Sequence, residues 1–375
     1  MKYRTAEKLG IELSVLGMGA MRLPVKNDDS GNIDEKSSIE MIRYGIDNGI
    51  NYLDTAYPYH KGNSETVVGK ALQGGYRERT RLITKLPVWM IKRKSDFDKY
   101  LDEQLKRLGT DYIDFYLFHA LNEKYWETVI KYELLECMET AVKDGRIRYT
   151  GFSFHSSFDI FKRITDYYDW DICMIQYNYL DIENQAGSRG LEYAGSKNIP
   201  VAVMEPLRGG NLVNSVPDDV CELFLSSKTK RSLAEWALGW LMDQKGINVI
   251  LSGMSSLEQI RENIRIIDEH ESFDDTDMEI VTRAYVMFHS RQRALCTACD
   301  YCSDCPKNIM ISTILSLYDD YLIFKKQERA KKFYRGIIKA KKDISHCSEC
   351  KKCEEICPQG ISIVKMLKEA DKILR

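Results

Sequence analysis

Between Ile11 and Gly253 the chain repeats one pattern eight times: a short apolar run suited to a buried strand, then a longer segment with helical spacing. Few folds accommodate that. The strand candidates are Ser14 to Ala20, Ile50 to Asp54, Leu82 to Lys85, Ile113 to His119, Arg148 to Ser153, Met174 to Tyr177, Pro200 to Glu205 and Asn248 to Ser252. Glu35 to Asn48, Phe97 to Leu108, Trp126 to Lys143 and Leu233 to Gln244 place apolar residues three and four apart. Parallel strands need crossovers of this length, and eight such units closing on themselves form an α/β (β/α)8 TIM barrel with helices outside. With 375 residues, 44% of them hydrophobic, the chain can bury that core and carry a second, smaller domain. We place the barrel at residues 1–288 and the second domain at 289–375.

Barrel chemistry sits at the C-terminal ends of the strands. Asp54, Lys85 and His119 end the second, third and fourth candidates, and Tyr59 lies in the loop after Asp54, so four titratable groups share one rim. Reducing a carbonyl with a nicotinamide needs a hydride for carbon and a proton for oxygen. Tyr59 can supply the proton. A free tyrosine has a pKa of about 10 and donates poorly unless a cation favours the phenolate; Lys85 fits that role, Asp54 can hold its ammonium, and His119 can orient the carbonyl oxygen. Gly17-Met18-Gly19 lacks the third glycine and downstream acid of a dinucleotide fingerprint, and reads as a tight turn. His60 reads as a pocket wall; His155, His270, His289 and His346 read as chemically idle.

Beyond Phe288 the alternation stops. Of 11 cysteines, Cys137, Cys173 and Cys221 are scattered, while Cys296, Cys299, Cys302 and Cys305 precede Pro306 and Cys347, Cys350, Cys353 and Cys357 precede Pro358. Two tight runs indicate metal ligands in a reducing compartment rather than disulfides. The second has the spacing of bacterial ferredoxins, in which three thiolates hold one cluster and the fourth reaches the other; the first is shorter by one residue in its last gap. If the runs cross in that way, Cys296, Cys299, Cys302 and Cys357 would hold one 4Fe-4S cluster and Cys347, Cys350, Cys353 and Cys305 the other, with Cys305 the member that the irregular gap sets apart. Zinc also takes cysteine pairs, but does not need a run of four ending in proline. The segment between the runs reads as helical, as in the helical type of two-cluster ferredoxin. Residues 289–375 hold 18 Lys or Arg against 11 Asp or Glu, a net of +7, while the whole chain is at −2. The basic run from Lys325 to Lys342 is either a solvated helix face or a docking patch for an acidic electron carrier such as ferredoxin or flavodoxin.

The stretches NYLDTAYPYHKGNSE (Asn51 to Glu65), ITK (Ile83 to Lys85) and DYIDFYLFH (Asp111 to His119) resemble the aldo/keto reductase family, and the chain is similar throughout to the branch with a C-terminal 4Fe-4S domain. The resemblance implies a catalytic tetrad of Asp54, Tyr59, Lys85 and His119 with Tyr59 as proton donor, and NADP or NAD as cofactor beside two 4Fe-4S clusters. It also implies cofactor contacts in GFSFH, QYN, MEPLRGG and SGMSSLEQIREN: Ser153, Gln176 and Asn178 on the carboxamide, then Pro206, Leu207, Gly253, Ser255, Gln259 and Asn263. Many members place basic residues for the 2′-phosphate of NADP where this chain has Gly253 and Gln259, and an aromatic ring where it has Met204 to Leu207.

The net charge argues against nucleic acid, and the first thirty residues hold no signal peptide or membrane span, so a cytoplasmic oxidoreductase is expected. Its substrate would be a small carbonyl or alcohol, chosen by loops that include Tyr57, Tyr59, Tyr125 and Trp126. Hydride chemistry moves two electrons and a cluster moves one, which leaves three readings: a reductase with structural or sensing clusters, a reductase fed by ferredoxin or flavodoxin, and a nicotinamide-binding redox sensor. Two clusters predict about eight iron and eight acid-labile sulfide per chain in protein purified without oxygen; zinc without sulfide would reduce the domain to a structural ribbon.

Overall fold

A computed structural model describes residues 1–296, 301–324, 327–357 and 359–375. The chain opens with an antiparallel hairpin of β1 (Tyr3–Ala6) and β2 (Ile11–Ser14). Then come β3 (Leu16–Gly19), β4 (Tyr52–Asp54), β5 (Arg81–Leu86), β6 (Ile113–Leu121), β7 (Ile147–Phe154), β8 (Ile172–Gln176), β9 (Val201–Met204) and β10 (Ile247–Ser252). These eight close into a barrel in the order β10-β3-β4-β5-β6-β7-β8-β9. Every pairing in it is parallel.

Every second strand residue faces the barrel axis. The inward set is Tyr52 on β4, Ile83 on β5, Phe115 and Leu117 on β6, Ile172 and Met174 on β8, Ala202 on β9, and Val249 and Leu251 on β10, one buried cluster. Continuing the same parity brings Asp54, Lys85, His119, Ser153 and Gln176 inward at the C-terminal ends of their strands, where the apolar filling stops. At the other end Ala6 and Leu13 of the hairpin join the cluster and form a floor. Asn51 pins that floor: Ser14 N donates to its Oδ1 (2.8 Å) and its Nδ2 donates to Glu12 O (3.0 Å).

Gly17 and Gly19 lie within β3, so the expected tight turn is not formed there. A side chain at Gly17 would place Cβ 2.7 Å from Val249 Cγ1 and 3.0 Å from Tyr52; the glycine makes room for the tyrosine. The expected helix from Trp126 to Lys143 is two helices, Glu123–Lys131 and Leu134–Lys143, broken where Glu133 takes a left-handed φ of 52°.

The chain divides into two compact units, Met1–Asn178 with Ala186–Pro206 and Leu238–Ser272, and Tyr179–Gln185 with Leu207–Ala237 and Phe273–Arg375. In the second, helices Ile311–Ile323, Gln327–Lys339 and Ile363–Leu374 share a core that includes Ile314, Tyr318, Tyr334, Ile337 and Leu367. Cys296, Cys302, Cys305, Cys347, Cys353 and Cys357 pack against that core. Asp319 accepts the backbone N–H groups of Arg293, Ala294 and Leu295 at 2.8 to 3.1 Å, fixing the approach to Cys296. Among the described residues no helix is long and apolar enough to cross a membrane.

A methyl group at Gly151 would meet Leu117 Cδ2 at 2.5 Å and Ile172 O at 2.6 Å, and backbone cannot yield as a side-chain tip can. Gly151→Ala is expected to cost about 1–3 kcal/mol by overpacking, read as a lower denaturant midpoint at unchanged m-value; an unchanged midpoint would refute this account of the barrel's interior.

Candidate active site

Lys85 is the centre of the rim. Its Nζ donates to Asp54 Oδ1 (2.7 Å), Asp54 Oδ2 (2.6 Å) and Thr55 O (2.8 Å), and lies 3.5 Å from the Tyr59 hydroxyl. Lys85 and Asp54 are each 1% exposed. Burial alone would lower the lysine's pKa, but the carboxylate in contact outweighs it, so the group lies above the ordinary lysine value and keeps its proton.

Tyr59 departs from the expectation that Lys85 acidifies it. Burial raises its pKa above 10, Lys85 pulls it down only in part, and Asp54 opposes Lys85. The ring is therefore a neutral phenol at physiological pH, with an ammonium beside it to receive the charge when the proton leaves. The turn that presents it is costly: His60, Lys61 and Gly62 have φ of 52°, 56° and 92°. Its two sides are tied down. Thr55 Oγ1 bonds Ser64 Oγ at 2.9 Å, Asn63 Nδ2 donates to Gly31 O at 2.8 Å, and His60 Nδ1 is 2.7 Å from Ser30 O.

His119 packs edge-on to Tyr59 with ring centroids 5.9 Å apart. Burial first, then Lys85 and His155, hold its pKa well below 6.5, so the imidazole is neutral. Its Nδ1 is buried with no hydrogen-bond partner among the described residues. Trp89, 40% exposed and unmarked in the sequence, lies 5.1 Å from the His119 ring and 6.1 Å from Tyr125. Of the expected loop aromatics, Trp126 is instead buried against Tyr167 and Trp170, and Tyr57 is packed on Tyr100 and under Arg107.

A buried polar network supports Lys85 from behind. Glu65 accepts from Thr84 Oγ1 (2.7 Å), Gln104 Nε2 (2.6 Å) and Arg107 (3.2 Å), and Gln104 Nε2 also reaches Lys85 O (3.1 Å). Each polar atom so placed avoids the cost of an unsatisfied buried group. Glu65 belongs to the quoted Asn51–Glu65 stretch, but only the tertiary contacts give it this task.

The residues expected at a cofactor fall into three places. Ser153 is buried on β7, accepts from Ala120 N at 2.8 Å and retains its own hydroxyl hydrogen to donate; Gln176 ends β8; buried Asn178 donates to Glu205 O at 3.1 Å. Pro206 closes a segment of the first unit, and Leu207 opens one of the second. After β10, Asn263 donates to Ser252 Oγ (3.1 Å), and Ser255 N donates to Gln259 Oε1 (2.8 Å) while Ser256 caps Gln259 N (3.3 Å). The Ser256 cap starts the helix Leu257–Glu269, whose N-terminus favours anions. The Arg22 stem lies against Gly253, where a Cβ would come within 3.1 Å of it. The buried unpaired His119 nitrogen, the Ser153 hydroxyl and this helix start suit a nicotinamide dinucleotide.

In the second unit a cavity of about 220 Å³ is lined by Cys302, Cys305, Cys347, Cys350 and Cys353, with Asp304, Lys307, Lys351 and Lys352 at its wall. Cys305, the irregular member of the first run, thus shares a cavity with three cysteines of the second. Glu349 N donates to Cys347 Sγ at 3.3 Å, and Glu349 and Lys351 take φ of 53° and 60°, which bends the loop around the thiols. A backbone N–H of Lys352 lowers the Cys350 pKa, while burial pushes Cys353 up to about 11. Among the described residues no three Cys, His, Asp or Glu side chains are gathered closely enough for a single ion. Cys299 and Pro358 lie outside the described residues.

The model of the aldo/keto reductase family matches residues 15–286, and that of a 4Fe-4S dicluster domain matches residues 295–362. The chain is 27% identical over 312 residues to the NADH-specific methylglyoxal reductase of Escherichia coli (strain K12), covering 72% of this chain and 94% of that one. It is 26% identical over 293 residues to L-galactose dehydrogenase of Arabidopsis thaliana, covering 72% and 90%. Among solved structures, the holo form of the aldo-keto reductase AKR11C1 from Bacillus halodurans superposes with a TM-score of 0.64 at 26% identity, covering 76% of this chain and 96% of that one.

A histidine whose folded pKa is depressed binds fewer protons than in the unfolded chain, so its contribution to stability is present above about pH 6.5 and is lost as the pH falls through the folded value. His119→Gln is expected to flatten the fall in denaturant midpoint between pH 7 and pH 5. Parallel curves for the two proteins would contradict a neutral His119.

Proposed function

The chain belongs to the aldo/keto reductase family, and from that premise we propose that it interconverts a small carbonyl compound and its alcohol by hydride transfer with NADP or NAD. The observation that carries this is the contact of Lys85 with both Asp54 and the Tyr59 hydroxyl, beside a neutral His119. The bound nicotinamide supplies the hydride. Tyr59 Oη gives the carbonyl oxygen its proton, and Lys85, fixed by Asp54, stabilises the phenolate left behind. Neutral His119 donates a hydrogen bond that orients the same oxygen. Ser153, Gln176 and Asn178 hold the carboxamide, Pro206 and Leu207 flank it, and Gly253, Ser255, Gln259 and Asn263 serve the phosphate side. Trp89 and Tyr125 form the aromatic wall that a small substrate meets.

The reductase segment is taken as residues 1–288 and the cluster segment as 289–375. Two 4Fe-4S clusters are assigned, one to Cys296, Cys299, Cys302 and Cys357, the other to Cys305, Cys347, Cys350 and Cys353; the cavity that all four of the second set line supports that set, and Cys302 of the first set lines it too. We propose further that the clusters exchange single electrons with an acidic carrier such as ferredoxin or flavodoxin, a reading that the exposure of Cys350 at that cavity supports. Thiolate ligands of this kind fit the reducing cytoplasm.

Tyr59→Phe is expected to lower kcat for carbonyl reduction by about 10²–10⁴-fold and leave the Kd for the dinucleotide, measured by fluorescence titration, within about 3-fold of the parent. Undiminished turnover would remove Tyr59 from the role of acid.

A further inference from the structure

From Arg329 to Lys342 the chain has seven Lys or Arg and no Asp or Glu. The helix Gln327–Lys339 sorts them. Ala330, Tyr334 and Ile337 are buried in the core of the second unit, while Arg329, Lys332, Phe333, Arg335, Gly336 and Lys339 are exposed. Lys332, Lys339 and Lys341 have no carboxylate partner among the described residues, and the Arg335 contact to Glu328 is long, at 3.9 Å. The Phe333 ring is 58% exposed, with the Arg329 guanidinium 6.0 Å from its centroid. Gly336 costs the helix about 1 kcal/mol relative to alanine, and the space above it is empty.

This face runs into the cysteine cavity. Lys342 O accepts from Met310 N at 3.0 Å, between Ile309 and Ile311, which both line the cavity. The next turn, Ile344–His346, leads directly into Cys347. At the mouth Cys350 is exposed, and Lys307, Lys351 and Lys352 against the single carboxylate of Asp304 keep the lining net positive.

We infer that the exposed face of the helix Gln327–Lys339, continued through Lys342, is the docking surface for an acidic one-electron carrier protein that serves the cysteine cavity. The inference rests on the reading that the clusters exchange electrons. In each encounter one electron leaves the reduced carrier and enters the cluster held by Cys305, Cys347, Cys350 and Cys353; no proton or group moves. An acidic protein suits this surface better than its competitors. A membrane-surface helix needs a free apolar face, and here that face is spent on the core. A nucleic-acid duplex presents phosphates but no apolar patch for the exposed Phe333 ring. Unpaired lysines around one exposed aromatic ring instead match a polar, charge-steered encounter surface with an apolar centre.

The test uses the whole protein with its clusters in place, titrated anaerobically by calorimetry with a small acidic two-cluster ferredoxin at several salt concentrations. The comparison is the triple variant Lys332→Glu, Arg335→Glu, Lys339→Glu, with Lys36→Glu, Lys124→Glu, Lys245→Glu, three exposed lysines of the first unit, as a control of equal charge change. The expected result is a Kd raised by about 10-fold or more at low salt in the first variant only, with a shallower salt dependence and unchanged iron content. Equal weakening in both variants would assign the effect to net charge and overturn the surface. Unchanged binding in the first variant would overturn the surface but leave the carrier reading intact. No binding by the parent protein, or binding only to DNA or to anionic vesicles, would overturn both.

Discussion

The buried pair of Lys85 and Asp54 is the interaction on which the rest of the site depends. Taking two charges out of water costs several kcal/mol per ion unless geometry and further hydrogen bonds repay it. Here all three ammonium hydrogens have acceptors, two on the carboxylate and one on Thr55 O. That arrangement leaves the lysine charged in a dry place, where a charge acts on its neighbours most strongly. Tyr59 and His119 are those neighbours, and the same ammonium pulls down the pKa of both. The opposing effect of burial on Tyr59 keeps it a proton donor instead of a phenolate.

The barrel makes this economical. A period of two along each strand sends apolar residues inward through most of the depth and polar ones inward near the end, which delivers Asp54, Lys85 and Ser153 without distortion; at His119 the register of β6 shifts between Phe118 and Leu121, with Ala120 at a left-handed φ of 56°. The glycines at 17 and 151 are part of the same packing: without them Tyr52, Leu117 and Ile172 could not fill the interior. The left-handed run from His60 to Gly62 leaves regular structure, and there side chains on both sides hold the loop.

The second unit solves a different problem. Its cysteines cannot be buried as bare thiolates, so a helical core supports them from one side and the loops around Glu349 and Lys351 wrap them from the other. Residues 289–375 within it carry a net charge of +7, opposite in sign to the rest of the chain.

Eight strands, the rim tetrad and both cysteine runs were legible in the sequence because each rests on local pattern: period two in the strands, strand ends that a parallel barrel forces to one side, and thiol spacing that bends around a cluster. What the sequence could not convey depends on contacts between residues distant in the chain. The hairpin that floors the barrel looks like an ordinary polar start until Asn51 and the inward cluster meet it. Gly17 and Gly19 look like a turn until Tyr52 and Val249 are seen to crowd Gly17, and the long helix from Trp126 to Lys143 gives no local sign of its break at Glu133. Trp89 carries no motif and acquires its place only beside His119, whereas Trp126, the fourth residue of the helix Glu123–Lys131, is drawn into the core by Tyr167 and Trp170. Cys305, irregular by spacing, is brought to the second cysteine run only by the cavity. Local pattern determines which elements form and which ends they share; which side chains touch is decided by close packing, whose sterics act across the whole fold.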